Sequence, residues 1–341
     1  MIKAMPSALR SALLVTLVLG LLGSYTARAQ QPGKDLLSRP HINYAHGVIG
    51  LPNITYNVVN GYRPMHMTLF VPTAGKGPYP VVLYLHGGGW TLDPDGDEGI
   101  MGNDTMVDLA ARGYVVVRPG YRLSSEAKFP APLKDVKTAV RWIRTYAHDF
   151  NADTSHIVVW GSSAGGFLSA MLATTCGIAE FDHADALPPR VGLSTPAMDP
   201  KVSSCVDAAI DWFGPIDFKS MDSQALPDSP GRHDDAQSAE SALVGCAIPS
   251  CSAETLKAAN PISYISAKTP PFLIMHGKAD HGVPWQQSQE LYDALRAQGV
   301  AAQIILVPDA DHMFMKLPEA QMRAQLQPVF AFIDAHSGKT P

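Results

Sequence analysis

Charge of either sign is scarce in this chain: 17% of its 341 residues are Asp, Glu, Lys or Arg, with 31 acids to 26 bases. With 46% apolar residues beside them, that composition excludes a charged, disordered chain and supplies a sizeable core. The acidic balance gives no basic surface field, so no nucleic-acid partner is expected. Long apolar runs are absent after residue 23, and nothing downstream is expected to span a bilayer. Cysteine is rare: four in all, none before Cys176 and no Cys-x-x-Cys. That spacing does not resemble a zinc site, and no catalytic metal is expected. Gly-x-x-x-x-Gly-Lys-Ser/Thr is missing too, which removes a phosphate-cradling loop. No internal repeat or linker divides the chain.

What is present begins with a leader pattern. Lys3 and Arg10 bracket a basic start, SALLVTLVLGLLG (11–23) is apolar and uncharged, and Ala27-Arg28-Ala29 is a small-x-small cleavage pattern. Residues 1–29 are therefore expected to be a Sec-type signal peptide, the run being shorter than the ~20 residues of a spanning helix. Its removal takes away three bases and no acid, moving the formal charge from −5 to −8. A mature extension (30–42), a catalytic domain (43–336) and a short tail (337–341) are expected to follow, with no membrane attachment. Export to the periplasm or medium exposes the cysteines to oxidants. Cys246 and Cys251 are expected to close a short loop around Pro249, and Cys176 and Cys205 to tie the ends of a polar insertion.

Further along, short apolar runs alternate with amphipathic ones. NITYNVV (53–59) and MHMTLFV (65–71) read as strands joined around Asn60-Gly61, a hairpin signal. YPVVLYLHGGGW (79–90) is a buried strand that breaks at three glycines, and YVVVRPGYRL (114–123) is another. Between them NDTMVDLAARG is a helix stopped by Gly113. PLKDVKTAVRWIRTYAHDF (132–150) carries Val136, Val140 and Ile143 on one helical face. HIVVWGS, AAIDWFG, PPFLIMHG and AAQIILVP supply further strands, and PEAQMRAQLQPVFAFIDAH a single closing helix. This alternation predicts an α/β fold whose mostly parallel sheet is covered on both faces.

Within it, HIVVWGSSAGGFLSA (156–170) runs from strand through a sharp turn into helix, the context of a Gly-x-Ser-x-Gly nucleophile elbow. Gly161 and Gly165 frame Ser163, which makes Ser163 and not Ser162 the candidate nucleophile. Side chains at those glycines would collide where strand and helix pack closely. A serine hydroxyl needs a general base, and the base an orienting acid; here both should follow the serine, on loops after late strands. Asp280 in FLIMHGKADHGVP and His312 in IILVPDADHMF meet that order. His281 is a rival base, and Asp309 and Asp311 are rival acids that would have to turn back on their neighbour, whereas Asp280 approaches from the adjacent strand end. His276, inside a strand, reads as a core residue. HGGGW offers backbone N–H donors to a developing oxyanion, a term worth roughly 3–4 kcal/mol per donor. Gly88, Gly89 and Ala164 form the expected hole. Trp90 and Trp285 are candidate walls of the substrate entrance, or rings packed beneath a loop.

LHGGGW, GYRLSSEAKFPAPLKDVKTAVRWI, WGSSAGG, DWFGPIDF, NPISYI, FLIMHGKADHGVPWQQSQELYDAL and DADHMF together resemble the α/β-hydrolase carboxylesterases. They are most similar to the bacterial feruloyl-esterase-like (BD-FAE-like) branch, related to the hormone-sensitive-lipase type, over residues 43 to 336. The resemblance implies an α/β-hydrolase fold, a Ser163-Asp280-His312 triad, an oxyanion hole at the HGGG loop and no cofactor. It also implies acetylated or feruloylated polysaccharide fragments, or short-chain esters, as substrates. DADHMF departs from the GAGHGF commoner in this branch, and Met313 in place of a small residue is expected to narrow that wall.

The polar segments 177–205 and 219–260 are expected to form a small partial cap. Neither carries a long apolar lid helix, so activity should fall with acyl chain length. The expected protein is a secreted serine carboxylesterase acting on a small-molecule or oligosaccharide ester. An amidase or peptidase of the same fold, arylformamidase-like, is the alternative, and a non-catalytic binding protein the third reading.

Overall fold

The central strands form because their sequences have no polar side to expose. The computed structural model describes residues 36–93, 99–182 and 201–338, and in it every residue of Tyr79–Leu85, Val115–Pro119, Ala208–Trp212 and Phe272–Gly277 is buried. The leader expected at 1–29, the start of the extension, insertion residues 183–200 and tail residues 339–341 lie outside the described residues. All described residues belong to the larger of two compact units, 32–187 with 198–341.

The strands are β1 (Ile42–Tyr44), β2 (Val48–Asn57), β3 (Met65–Pro72), β4 (Tyr79–Leu85), β5 (Val115–Pro119), β6 (Ala152–Ser162), β7 (Ala208–Trp212), β8 (Phe272–Gly277) and β9 (Ala302–Val307). They form one nine-stranded sheet in the order β1-β2-β3-β5-β4-β6-β7-β8-β9. The β1–β2, β2–β3 and β3–β5 pairs are antiparallel; the five pairs from β5 across to β9 are parallel. The hairpin read around Asn60-Gly61 is β2–β3, with Asn57 opposite Met65. Leu36, ahead of the sheet, is buried in the core.

The helices are α1 (Asn103–Ala111), α2 (Ala131–Tyr146), α3 (Ala164–Thr174), α4 (Ala179–Asp182), α5 (Met221–Gln224), α6 (Ala239–Val244), α7 (Ala253–Ala258), α8 (Gln286–Ala297), α9 (Glu319–Ala324) and α10 (Leu326–His336). Alternation along the strands splits the core into two layers. Val81, Leu83 and Leu85 face one layer, which α2, α3 and α8 cover with Val136, Phe167 and Leu291. Val82 and Tyr84 face the other, under Leu109 of α1 and Val329 of α10. The expected single closing helix is two, α9 and α10, divided at Gln325. Pro328 is the physical reason, because a helix continuing through it would drive its ring into the carbonyl of residue 324. Among the described residues, no helix is long and apolar enough to cross a membrane. The cysteines pair at disulfide distance, Cys176 with Cys205 and Cys246 with Cys251, at Cα separations of 4.9 and 5.5 Å.

One buried ion pair fixes the loop after β5 to α2. Arg122 donates to the Asp135 carboxylate through Nε (2.8 Å), Nη2 (2.9 Å) and its backbone N–H (2.9 Å). Both side chains are sealed from solvent. Asp135→Ala removes the sealed carboxylate that the guanidinium grips and should destabilise the fold by about 3–5 kcal/mol in denaturant unfolding, whereas a loss under about 1 kcal/mol would be that of a surface pair.

Candidate active site

Strand β6 ends at Ser162 and α3 begins at Ala164, so Ser163 occupies a one-residue corner with φ 52° and ψ −119°. That backbone is strained for a residue with a side chain. Two hydrogen bonds hold it: Ser163 N–H donates to Trp212 O (2.8 Å) and Phe167 N–H to Ser163 O (3.1 Å). Contact explains the framing glycines. A Cβ on Gly161 would stand 2.0 Å from Gly165 O, and one on Gly165 2.0 Å from Leu85 O.

Ser163 Oγ lies 3.1 Å from His312 Nε2, and His312 Nδ1 lies 2.8 Å from Asp280 Oδ2. A carboxylate can only accept, so His312 donates from Nδ1 and presents Nε2 to the serine hydroxyl. Asp280 is 1% exposed. Its Oδ1 accepts from the N–H groups of Gly282 and Val283, each at 2.7 Å, and its Oδ2 also lies 3.2 Å from His276 Nε2. Burial pushes its carboxyl up; the charge of His312 and the hydrogen bonds of His276 and His312 outweigh this and hold it well below the usual carboxylate range.

Of the rivals, Asp311 and His281 are held by other partners, and His281 lines the cavity that also holds Ser163. Asp311 Oδ1 accepts the backbone N–H groups of His281 and His312, both at 2.8 Å, which ties together the two loops that carry Asp280 and His312. His281 sits between Asp311 and Asp228, at 3.1 and 3.2 Å. His276 is buried in β8, with Nδ1 2.7 Å from Ser288 Oγ. Met313 does not line the site, contrary to the narrowing expected of it. It has a φ of 60° and packs against the second core layer. The left-handed backbone, which favours glycine, accounts for the commoner GAGHGF pattern at this place.

A cavity of about 290 Å³ joins Ser163 and His312 to Gly89, Trp90 and Ala164. Among the described residues, the N–H groups of Gly88, Gly89 and Ala164 donate to no acceptor. Gly88 is set at φ +99°, where a Cβ would meet Leu92 O at 2.6 Å. Trp90 lines the cavity as a buried ring packed edge-on against Phe167 and Phe218. Trp285 does not reach the cavity: it heads α8, and Lys278 Nζ lies 5.1 Å over its ring. The opposite wall, residues 230–240, comes from the β7–β8 connection.

The BD-FAE family model matches residues 67–295. The chain belongs to that family. Esterase LipC of Mycobacterium tuberculosis is 29% identical over 258 residues, 75% of this chain and 58% of that relative. This BD-FAE chain therefore spans little more than half the relative's length. Among solved structures, a truncated carbohydrate esterase from gut microbiota superposes with a TM-score of 0.68 at 26% identity, covering 85% of this chain and 96% of that one. The bifunctional GH43-CE protein of Bacteroides eggerthii gives 0.67 at 30% identity, over 85% and 38%. The sheet order, the covering helices and these neighbours are those of the α/β-hydrolase fold.

Three residues of this BD-FAE site escaped sequence reasoning. Phe213, at the end of β7, sets its ring edge-on to His312 with centroids 4.9 Å apart, and its place at a strand end was the only cue. His233 lines the cavity with its ring on Glu240. Burial lowers the His233 pKa, but Glu240, Asp222 and Asp280 outweigh it and the pKa is raised. Asp211 of β7 lies against the start of α3, where a Cβ on Gly166 would stand 2.4 Å from its Oδ1. Its Oδ1 accepts from Gly214 N–H at 2.9 Å, and its buried Oδ2 has no hydrogen-bond partner among the described residues. Burial raises its carboxyl to about 6, against the Gly214 bond and the charge of His276. A carboxyl raised on folding supports stability below its unfolded pKa, near 4, and loses that support as pH rises through 6. The stability of wild type relative to Asp211→Asn should therefore fall by about 2 kcal/mol between pH 4 and 7.5 in urea unfolding, and a pH-independent difference would contradict it.

Proposed function

We propose that this protein is an exported serine carboxylesterase that hydrolyses short-chain or aryl esters, acetyl esters of carbohydrate fragments foremost, through an acyl-enzyme on Ser163. The observation that carries the reading is the unbroken hydrogen-bonded run Ser163–His312–Asp280, beside N–H groups that donate to no acceptor among the described residues. His312 Nε2 takes the hydroxyl proton as Oγ attacks the ester carbonyl. Asp280 keeps Nδ1 protonated and stabilises the imidazolium that forms. The N–H groups of Gly88, Gly89 and Ala164 receive the oxyanion. His312 then protonates the departing alcohol, and water activated by the same base releases the acid.

Short acyl groups suit a cavity of about 290 Å³ walled partly by the short helix α6. A carbohydrate ester agrees with the name of the gut-microbiota relative, and export agrees with the leader pattern and the paired cysteines.

Hydrolysis of 4-nitrophenyl esters from acetyl to palmitoyl tests the reading, with methyl ferulate alongside. Turnover should be greatest at acetyl or butyryl and fall with length. Ser163→Ala should fold normally and lose roughly 10⁴-fold or more in kcat. Retained turnover would move the nucleophile to Ser162, and faster hydrolysis of an anilide of the same acyl group would make the protein an amidase.

A further inference from the structure

A second histidine–carboxylate pair stands in the cavity that holds Ser163, and the triad does not use it. His233 enters from the β7–β8 connection, and its position is fixed three ways. Its Nδ1 lies 3.1 Å from Oε1 of Glu240, a carboxylate only 5% exposed, to which it donates. Its backbone N–H donates to Asp222 Oδ1 at 2.7 Å. Its carbonyl accepts from Ser238 Oγ at 2.7 Å, and Ser238 also caps α6. The other ring nitrogen, Nε2, has no partner among the described residues.

The chemistry of that nitrogen defines what it can bind. With Nδ1 held on Glu240, Nε2 accepts a hydrogen bond when the ring is neutral and donates one when it is protonated. A hydroxyl group satisfies both states; an ether oxygen or a carboxylate satisfies only one. Location decides which half of an ester is read. Trp90 and Val283 give the cavity apolar walls suited to a short acyl chain. His233 continues instead into Arg232, which is held by Asp222 and Asp234 and whose side chain is 70% exposed, so the polar wall opens to solvent. That wall gives an alcohol larger than the acyl group a path to solvent.

We propose that His233, oriented by Glu240, is a substrate-binding residue that hydrogen-bonds a hydroxyl of the alcohol part of the ester and so selects polyhydroxylated alcohols over plain alkyl or aryl ones. The inference rests on the esterase reading and deepens it.

The test is kcat/KM for acetylated xylooligosaccharides divided by kcat/KM for 4-nitrophenyl acetate. His233→Phe should lower this ratio about tenfold, the value of one hydrogen bond, with the loss in KM. His233→Gln, which offers both a donor and an acceptor, should recover most of it. An unchanged ratio in His233→Phe overturns the proposal and leaves the esterase reading standing; a wild type that turns over neither ester overturns both. A second measurement needs no variant. Xylobiose should inhibit 4-nitrophenyl acetate hydrolysis by wild type at lower concentration than hexanol does, and the reverse order also overturns the proposal.

Discussion

Contact at the corner between β6 and α3 is the constraint on which the site depends. Gly161, Gly165 and the end of β4 approach until no Cβ fits between them. That closeness lets β6 end and α3 begin around a single residue, and it draws the HGGG loop, which follows β4, against Ser163: a Cβ on Gly87 would touch the serine Cβ at 3.4 Å. The loop is braced from behind by Tyr121, whose hydroxyl donates to His86 O at 3.0 Å while its ring stacks on that histidine. Ser163 and the N–H groups of the HGGG loop are thus brought together by one packing requirement. The strain at Ser163 persists because hydrogen bonds on both sides determine its backbone.

The electrostatic side follows from burial. A carboxylate as enclosed as Asp280 would normally neutralise, yet it accepts two backbone N–H groups and lies against two imidazoles, which favours its ionised form. Asp211, on the next strand, is equally buried but accepts a single backbone N–H, and its carboxyl is raised. Two carboxyls in one protein therefore shift in opposite directions according to the donors each one meets. His312 is positioned by Asp280 at one ring edge and by Phe213 against the ring, while Asp311 anchors its backbone.

Much of this was legible in the sequence because the parallel strands and the candidate triad obey local rules. Buried strands announce themselves as apolar runs, and an α/β sheet carries its functional loops at strand ends, which is where Ser163, Asp280 and His312 stand. What escaped was set by tertiary contact. The break at Gln325 lies in an apolar pattern that runs on through it, with Pro328 the only mark. Trp285 follows Asp280 closely in sequence, but α8 turns it toward Lys278. The meeting of His233 and Glu240 depends on the course of the β7–β8 connection, whose short helices have too few turns for a readable period.

Labelling with a fluorophosphonate probe tests the central claim most directly, because it requires an activated serine and no knowledge of the natural ester. The account predicts stoichiometric labelling of intact protein, mapped by peptide mass to Ser163 and abolished in His312→Ala. A folded protein that takes up no label, or takes it at another residue, would contradict it.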